Sequence, residues 1–577
     1  VKQAMARLTG AQIVWEALVR EGVEVVFGYP GGCNLPIYDA MLDYPVRHIL
    51  VRHEQNAGHA ADGYARATGK VGVAFGTSGP GATNLVTAIA TSMLDSTPTV
   101  FITGQVPTHL IGSDGFQETD VTGVTLPITK HNYLVTRTED IAPTIQEAFH
   151  IARSGRPGPV LVDIPKDVQN RTAELVWREG DLRRPSERRA SANGAAKYAE
   201  TLRLIERAER PLILAGQGVL AASAAAELRE FAERAQIPVA LTLLGLDAIP
   251  ENHPLRLAMM GMHGEAYVNT AIQNADLLLA FGMRFDDRVT GNLQTYARQA
   301  KKVHIDIDAA ELNKNVHCEV TIQSDLKAAL RRLLQDLKPA KHDAWIEQLD
   351  GLRKDSEKRD IIHQPANGHL YAAHVIHDLW QATGGDAIVA TDVGQHQMWV
   401  AQYYRPKHPR QIIWSGGLGT MGFGLPAAMG AKVARPDAEV WVVAGDGGFQ
   451  MSIPELATLQ QDKVAVKIAI INNGYLGMVR QWQEFFYDKR YSSTPLLSPD
   501  FVRLAAAFDI PGIRVQAREQ VIPAIERARG TEGPVLVEFQ VEKEDSVYPM
   551  VPAGTDLGTM IRRPVAEAAA AQYAEMH

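Results

Sequence analysis

Asp446 stands between glycines in the stretch VAGDGGFQMS (443–452), directly after the apolar run EVWVVAG. Such a run reads as a buried strand and puts the carboxylate at its carboxyl end, where parallel sheets collect their ligands. Gly445, Gly447 and Gly448 leave a backbone that a ligand can approach closely. SIPE (452–455) follows with the spacing of a capping box and proline near the first helical position. A helix N-terminus is therefore expected to face the same ligand and to favour phosphate. The next apolar run, VAVKIAIINN, ends in Asn472 and Asn473. Consecutive strand ends in a parallel sheet are neighbours, so Asp446 and Asn473 can converge. With a loop carbonyl, for which Tyr475 is placed, they leave positions for two phosphate oxygens and a water, the usual way to hold Mg²⁺. The competing reading is a βα turn whose aspartate only caps a helix.

The elements that must position these groups repeat along the chain. VEVVFGYP, HILVR, VGVAFGTSGP, TPTVFITGQ, NYLVTR and GPVLVDIP read as six strands before residue 170. RPLILAGQ, IPVALTLLG, DLLLAFGM, KKVHIDID and VTIQSD form a second set, and AIVATDVG, QIIWSGG, EVWVVAGDGG, VAVKIAIINN, IPGIRVQ and PVLVEFQ a third. Strands alternating with Ala-rich helical stretches predict α/β architecture, here three consecutive parallel-sheet domains. The expected boundaries are 1–181, 197–338 and 369–555, with charged linkers at 182–196 and 339–368 and a helical tail at 556–577. The outer two domains look alike in architecture.

Composition narrows the function classes. The 577 residues are 46% apolar and 21% charged, as in ordinary globular proteins. A net charge of −8 argues against a nucleic-acid surface. No apolar run is long enough to span a bilayer, and VKQAMARLTG is no secretory signal. Two cysteines, Cys33 and Cys318, support neither a disulfide framework nor a Cys-based zinc site, so a cytoplasmic compartment is expected.

Two other glycine turns point to nucleotides. LILAGQGVLA (212–221) carries G-x-G-x-x-A at Gly216 and Gly218, and FGMRFDDRVTG (281–291) crowds Arg284, Asp286, Asp287 and Arg288 after a buried run. GLGTMG (417–422) is a literal GxGxxG after the strand QIIWS. A nicotinamide dehydrogenase with Asp446 as its ribose acid is thus a rival. Against it, a ribose acid needs no flanking glycines, and the Asn pair would have no task.

GDG followed by NN at this spacing resembles the diphosphate motif of thiamine diphosphate (ThDP) enzymes. The resemblance implies Mg²⁺ on Asp446, Asn473 and the Tyr475 carbonyl. ThDP chemistry also demands a glutamate that drives the cofactor's aminopyrimidine from N1′. Glu54 in RHEQNAGHAADGYARATG (52–69) fits, ahead of a helix thin in side chains. A glutamate favoured at a helix start by the dipole is the competing reading. In this family the glutamate and the GDG domain meet across a subunit interface, so at least a homodimer is implied. By the same resemblance Pro80 and Asn84 would line the pyrimidine, and Gly394, Gln395 and His396 would reach the diphosphate. Met421 would bend the cofactor, and the Gly419 carbonyl would accept from its amino group.

Within that family the chain resembles the acetohydroxyacid (acetolactate) synthase catalytic subunits from about residue 8 to 555. FGYPGG, TSGPGATN, FQETDV, PITKHNYLV, GRPGPVLVDIPKD, GMHG, RFDDRVTG, HIDID and GMVRQW carry the match. The resemblance implies decarboxylation of pyruvate and carboligation to pyruvate or 2-oxobutanoate. It also implies FAD without net redox use in the central domain. Matching positions are Arg156, Thr242, Leu243, Leu244, Met262, His263, Gly264, Gly282, Arg284, Asp306 and Asp325. Arg288 would grip the second keto acid's carboxylate, and Trp482 would shape the acceptor pocket. Phe116, Gln117 and Lys166 match positions near the substrate channel. Cys33, Asn56 and Gly58 depart from the family pattern, and PTHLIG (107–112) lacks its usual basic residue. Pyruvate oxidase and 2-keto acid decarboxylase remain open as alternatives, as do tetramer formation and binding of a small regulatory subunit.

Overall fold

The computed structural model describes residues 7–177, 194–364 and 368–564. Three six-stranded sheets dominate it, and every strand pairing within them is parallel. In space the first sheet runs Arg47–Leu50, Val25–Gly28, Gly72–Gly76, Thr99–Gln105, Pro159–Pro165, His131–Leu134. The last runs Ile412–Ile413, Ile388–Thr391, Val440–Gly445, Lys467–Asn472, Val535–Gln540, Gly512–Val515. Counted in chain order, both are 2-1-3-4-6-5, so the two outer sheets share one topology. The middle sheet runs Arg256–Met259, Val239–Leu241, Pro211–Ala215, Leu277–Phe281, Lys301–Asp306, Val320–Gln323. That order, 3-2-1-4-5-6, is the dinucleotide-binding one. Each order reverses next to its first strand, and ligands bind at such reversals.

Some elements escape a reading of the sequence. Arg256–Met259 is a sixth middle strand, and Arg7–Thr9 pairs antiparallel with Thr172–Glu174. The segment 339–368, expected to be linker, holds the helix Asp343–Glu357. Trp345 and Leu349 are its buried apolar anchors, Ile346 and Leu352 pack half-buried beside them, and Trp345 Nε1 donates to the Pro211 carbonyl at 3.0 Å. Trp345, Ile346, Leu349 and Leu352 recur at helical spacing, so the helix is legible from spacing, and only the polar, charged composition reads as linker. Residues 182–193 of the first linker and 565–577 of the tail lie outside the described residues. Residues 556–564, assigned to a helical tail, contain no helix, and Leu557 packs into the middle domain's core. Among the described residues no helix is long and apolar enough to cross a membrane.

The outer domains are fixed to each other along one seam. The helix Glu54–Thr68 packs along the helix Gly424–Ala434, backbone against backbone. A methyl at Gly63 would overlap the Ala427 carbonyl, and one at Gly430 the Ala60 carbonyl. Beside this seam, Arg66 bridges the buried Asp62 at 2.5 Å and the buried Asp95 at 2.7 Å. Asp95 then accepts from the Gly417 amide at 2.6 Å, pinning the loop before the second helix. The middle and last domains are joined by buried Asp247, whose Oδ2 accepts from the Gln411 amide at 2.9 Å and the Ile412 amide at 3.3 Å.

These contacts carry two predictions. In an open helix Gly→Ala is favourable by about 1 kcal/mol. At Gly430 the overlap reverses the sign, and Gly430→Ala lowers stability by roughly 1–3 kcal/mol in urea denaturation. Burial pushes Asp247 up to about 6, against the two amide hydrogen bonds. The native state thus binds the proton more tightly than the unfolded chain, and this stability is lost as pH rises through 6. Asp247→Asn removes the titration. Its stability relative to the parent rises by on the order of 2 kcal/mol between pH 4 and pH 8, measured by denaturant unfolding.

Candidate active site

At the reversal point of the last sheet, the ends of Ile388–Thr391 and Val440–Gly445 lie side by side and each is followed by an aspartate. Asp446 lines a cleft of about 50 Å³ together with Gly394, Gln395, His396, Met421, Gly445, Gly447, Gly448, Asn473 and Tyr475. The expected convergence of Asp446 with Asn473 is therefore present in one cleft. The Asp446 carboxyl is buried and accepts from Ser498 Oγ at 2.8 Å. Burial pushes it up to about 6, with the Ser498 bond opposing. Asn473 Oδ1 accepts from the Tyr475 amide at 3.1 Å. Among the described residues no three His, Cys, Asp or Glu side chains converge as a metal site. A cation on Asp446 must therefore draw neutral oxygens, which the Asn473 amide and the Tyr475 carbonyl can supply. Such an oxygen set with few protein ligands suits Mg²⁺.

The other aspartate, Asp392, was not among the sequence candidates. It is fully buried and accepts from the amides of Val393 (2.8 Å), Gly422 (2.9 Å) and Gly424 (3.0 Å). A side chain at Gly448 would overlap its carboxylate. Asp392 thereby ties the Met421 loop to the GDGG loop. Its proximity to a strand end, like that of Asp446, is the signal that could have found it.

The capping box is a correction. The helix after the strand begins at Asp446 itself and ends at Gln450, and the next, Glu455–Gln461, has no side-chain cap. Glu455 instead turns into the seam between the outer domains. Its Oε1 accepts from the Arg52 amide and from Asn56 Nδ2, both at 2.9 Å, and Oε2 from Thr458 Oγ1 at 2.7 Å. Three donors outcompete one helix-end amide. The same contact accounts for Asn56, and Gly58 is required because a methyl there would overlap Ala88.

Gln395 and His396 line the Asp446 cleft, and their side chains also bond within the protein. His396 Nε2 accepts from the Gly445 amide at 3.3 Å, and burial pushes the ring down to about 4, so it is neutral. Gln395 is engaged by protein at both ends of its amide.

A cavity of about 900 Å³ opens at the reversal point of the middle sheet and extends to the last domain. Its wall includes Arg156, Gly218, Thr242, Leu243, Leu244, Met262, His263, Gly282, Arg284, Asp306 and Asp325. Arg288 and Trp482 share it with Gly394, Gly419 and Met421. Its volume lies in the range of about 300–1,000 Å³ that organic ligands and cofactors occupy. Gly216 and Gly264 are not in the wall; a methyl at Gly216 would overlap the Gly282 carbonyl, so this glycine allows the turns to meet. Arg156 Nη1 reaches Glu311 at 2.9 Å and Asp308 at 3.3 Å. Asp325 caps the helix Leu326–Asp336 through the Ala328 amide, and burial raises Asp306 to about 6 and lowers His263 to about 4. Asp286, read as part of a nucleotide cradle, caps the turn Asp287–Thr290.

The remaining candidates sit together at the carboxyl end of the first sheet. Glu54 opens its helix half-buried, and its Oε2 accepts from Asn84 Nδ2 at 2.9 Å. Pro80 starts the short helix that carries Asn84. Gln117, in a left-handed conformation with φ 60°, lies against Gly79 of the same turn. Lys166 follows the strand Pro159–Pro165. None of these five residues is in the wall of the cleft or of the cavity. Phe116, beside Gln117, is 88% exposed, an apolar face left open in a single chain.

Three family models match in the same order as the three sheets. They are the thiamine pyrophosphate enzyme N-terminal TPP binding domain over residues 8–124, the central domain over 198–333 and the C-terminal TPP binding domain over 392–539. The chain is 49% identical to the acetolactate synthase large subunit of Corynebacterium glutamicum, covering 96% of this chain and 90% of that one. It is 48% identical to the acetolactate synthase large subunit of Parasynechococcus marenigrum, covering 96% and 91%. It is 47% identical to the chloroplastic acetolactate synthase 1 of Oryza sativa subsp. japonica, covering 96% and 87%. Three domain matches and near-complete coverage at this identity show that the chain belongs to the acetolactate synthase family of thiamine pyrophosphate enzymes.

Proposed function

We propose that the protein is an acetolactate synthase that joins the two-carbon remainder of pyruvate to a second 2-keto acid. With pyruvate as acceptor the product is 2-acetolactate; with 2-oxobutanoate it is 2-aceto-2-hydroxybutanoate. Both are precursors in branched-chain amino-acid synthesis, a cytoplasmic role in bacteria. The observation that carries the reading is the single cavity wall shared by Arg288, Trp482 and Met421, next to the Asp446 cleft.

ThDP, when bound, supplies the electron sink that lets a 2-keto acid lose CO₂ and form a new carbon–carbon bond. Asp446, Asn473 and the Tyr475 carbonyl would hold Mg²⁺, and Gly445, Gly447 and Gly448 would let the diphosphate lie against backbone. Met421 stands at the junction of cleft and cavity, where it would press the cofactor into a bend. Glu54 would share a proton with the pyrimidine N1′, held in place by Asn84. Because Glu54 is absent from both cavity walls, a second copy would bring its own Glu54, Pro80, Gln117 and Lys166 to this chain's Asp446. A homodimer is then the smallest active form. FAD would lie along the middle sheet's reversal point, with Arg156, Arg284, Asp306 and Asp325 toward its polar parts and Met262 and His263 beside its ring.

The Arg288 side chain is 59% exposed, and among the described residues its guanidinium lies near Asp287 at 3.8 Å and Met262 Sδ at 3.5 Å. Its guanidinium fork would pair with the acceptor's carboxylate. Trp482 packs on Phe486 with ring centroids 5.3 Å apart, which fixes the indole as a pocket wall.

Purified protein with ThDP, Mg²⁺, FAD and pyruvate, followed with an oxygen electrode, is expected to form acetolactate with little oxygen uptake. Acetaldehyde as the main product, or acetate with stoichiometric oxygen loss, would overturn the carboligase reading. Trp482→Leu is expected to lower the preference for 2-oxobutanoate over pyruvate about tenfold, the worth of one methylene in an apolar pocket. Competition between the two acceptors measures it.

A further inference from the structure

A chain of buried amides leads from the C-terminal segment to Asn473. The Val547 amide donates to Gln481 Oε1 at 2.8 Å, and Gln481 Nε2 donates to the Val547 carbonyl at 3.2 Å. Gln395 Nε2 donates to Gln481 Oε1 at 2.9 Å and to the Asp545 carbonyl at 3.0 Å. Asn473 Nδ2 then donates to Gln395 Oε1 at 3.2 Å. Gln395, Gln481, Asn473 and Val547 are all buried.

Oxygen and nitrogen of a side-chain amide look alike, and only partners of fixed polarity tell them apart. Here the fixed partners are backbone groups. The Val547 N–H can only donate and its carbonyl only accept, so Gln481 has one allowed orientation. The Asp545 carbonyl and Gln481 Oε1 both require the nitrogen of Gln395, which leaves Gln395 Oε1 facing Asn473. That oxygen requires the nitrogen of Asn473, and the Tyr475 amide takes its oxygen side. Turning any one amide would set oxygen against oxygen or N–H against N–H inside the protein. Gly477 is part of the device, because a methyl there would overlap Gln395 Oε1.

We propose that Gln395 and Gln481 are positioning residues that transmit the backbone polarity of Val547 and Asp545 to Asn473, so that its carbonyl oxygen and not its amide nitrogen serves the cation. The inference rests on the Mg²⁺ reading of the Asp446 cleft. It gives Gln481, which the sequence did not single out, a task, and it gives Gln395 a role other than contact with diphosphate.

The test is Mn²⁺ binding, read from the spectrum of free Mn²⁺ by electron paramagnetic resonance, in the full chain with ThDP. Asp446→Asn is expected to abolish high-affinity binding; if it does not, the cation reading fails before the relay is at issue. Gln481→Leu is expected to weaken binding about tenfold or more, as loss of an outer partner of a metal ligand does. A carboxylate in place of the Asn473 amide would offer oxygen whichever way it turned. In the Asn473→Asp background, Gln481→Leu is therefore expected to change binding by less than about twofold. Equal losses in both backgrounds would mean a merely structural role, and no loss in either would remove the relay; both outcomes overturn the proposal while leaving the cation reading intact. If Gln481→Leu does not fold, Gln395→Met, which breaks the relay one bond nearer the ligand, is read in the same two backgrounds.

Discussion

The buried carboxylate of Asp392 is the contact on which the last domain's chemistry depends. A charge buried at a strand end costs several kcal/mol unless neighbouring dipoles answer it. Three backbone amides do so, and two of them belong to the loop that carries Met421. Gly448 has no side chain, so the GDGG loop can close against the same carboxylate. One side chain thereby sets the distance between the loop that would bend a cofactor and the loop that would hold its metal. Burial raises the affinity of Asp392 for a proton, and the amides oppose it.

The rest of the molecule holds that arrangement in relation to the other domains. Arg66 and Asp95 pin the Gly416–Gly417 end of the Met421 loop from the first domain. Asp247 pins the edge strand before it from the middle domain. Glu455, one turn after the GDGG loop, receives Asn56 from the first turn of the Glu54 helix. Thus the two acidic groups with proposed chemical roles, Glu54 and Asp446, are tied through one chain although they are absent from a common cavity wall.

Much of this is legible from residue order. Alternating apolar runs place seventeen strands in three sheets, and glycine-framed aspartate and asparagine place the cleft. What stays hidden depends on partners distant in sequence. Glu455 has capping-box spacing, yet its partners are Arg52 and Asn56, some 400 positions away. Asn56 reads as a departure from a family pattern, and only the seam between domains explains it. The resemblance implies that Gln395 reaches the diphosphate, and residue order does not show that both ends of its amide are also held by protein. The helix Asp343–Glu357 is a different case: Trp345, Ile346, Leu349 and Leu352 recur at helical spacing, and the polar composition around them is what reads as linker.

The central claim is that each active site takes Glu54 from one copy and Asp446 from another. Mixing Glu54→Gln with Asp446→Asn chains, after dissociation and reassembly, tests it directly. In a mixed dimer both lesions fall in one site and the other site is wild type at both positions. Acetolactate formation is then expected to recover to roughly a quarter of the parent rate at random pairing of equal amounts, each variant alone being inactive. No recovery from mixtures shown to contain the hybrid would contradict the account and return Glu54 and Asp446 to a site within one chain.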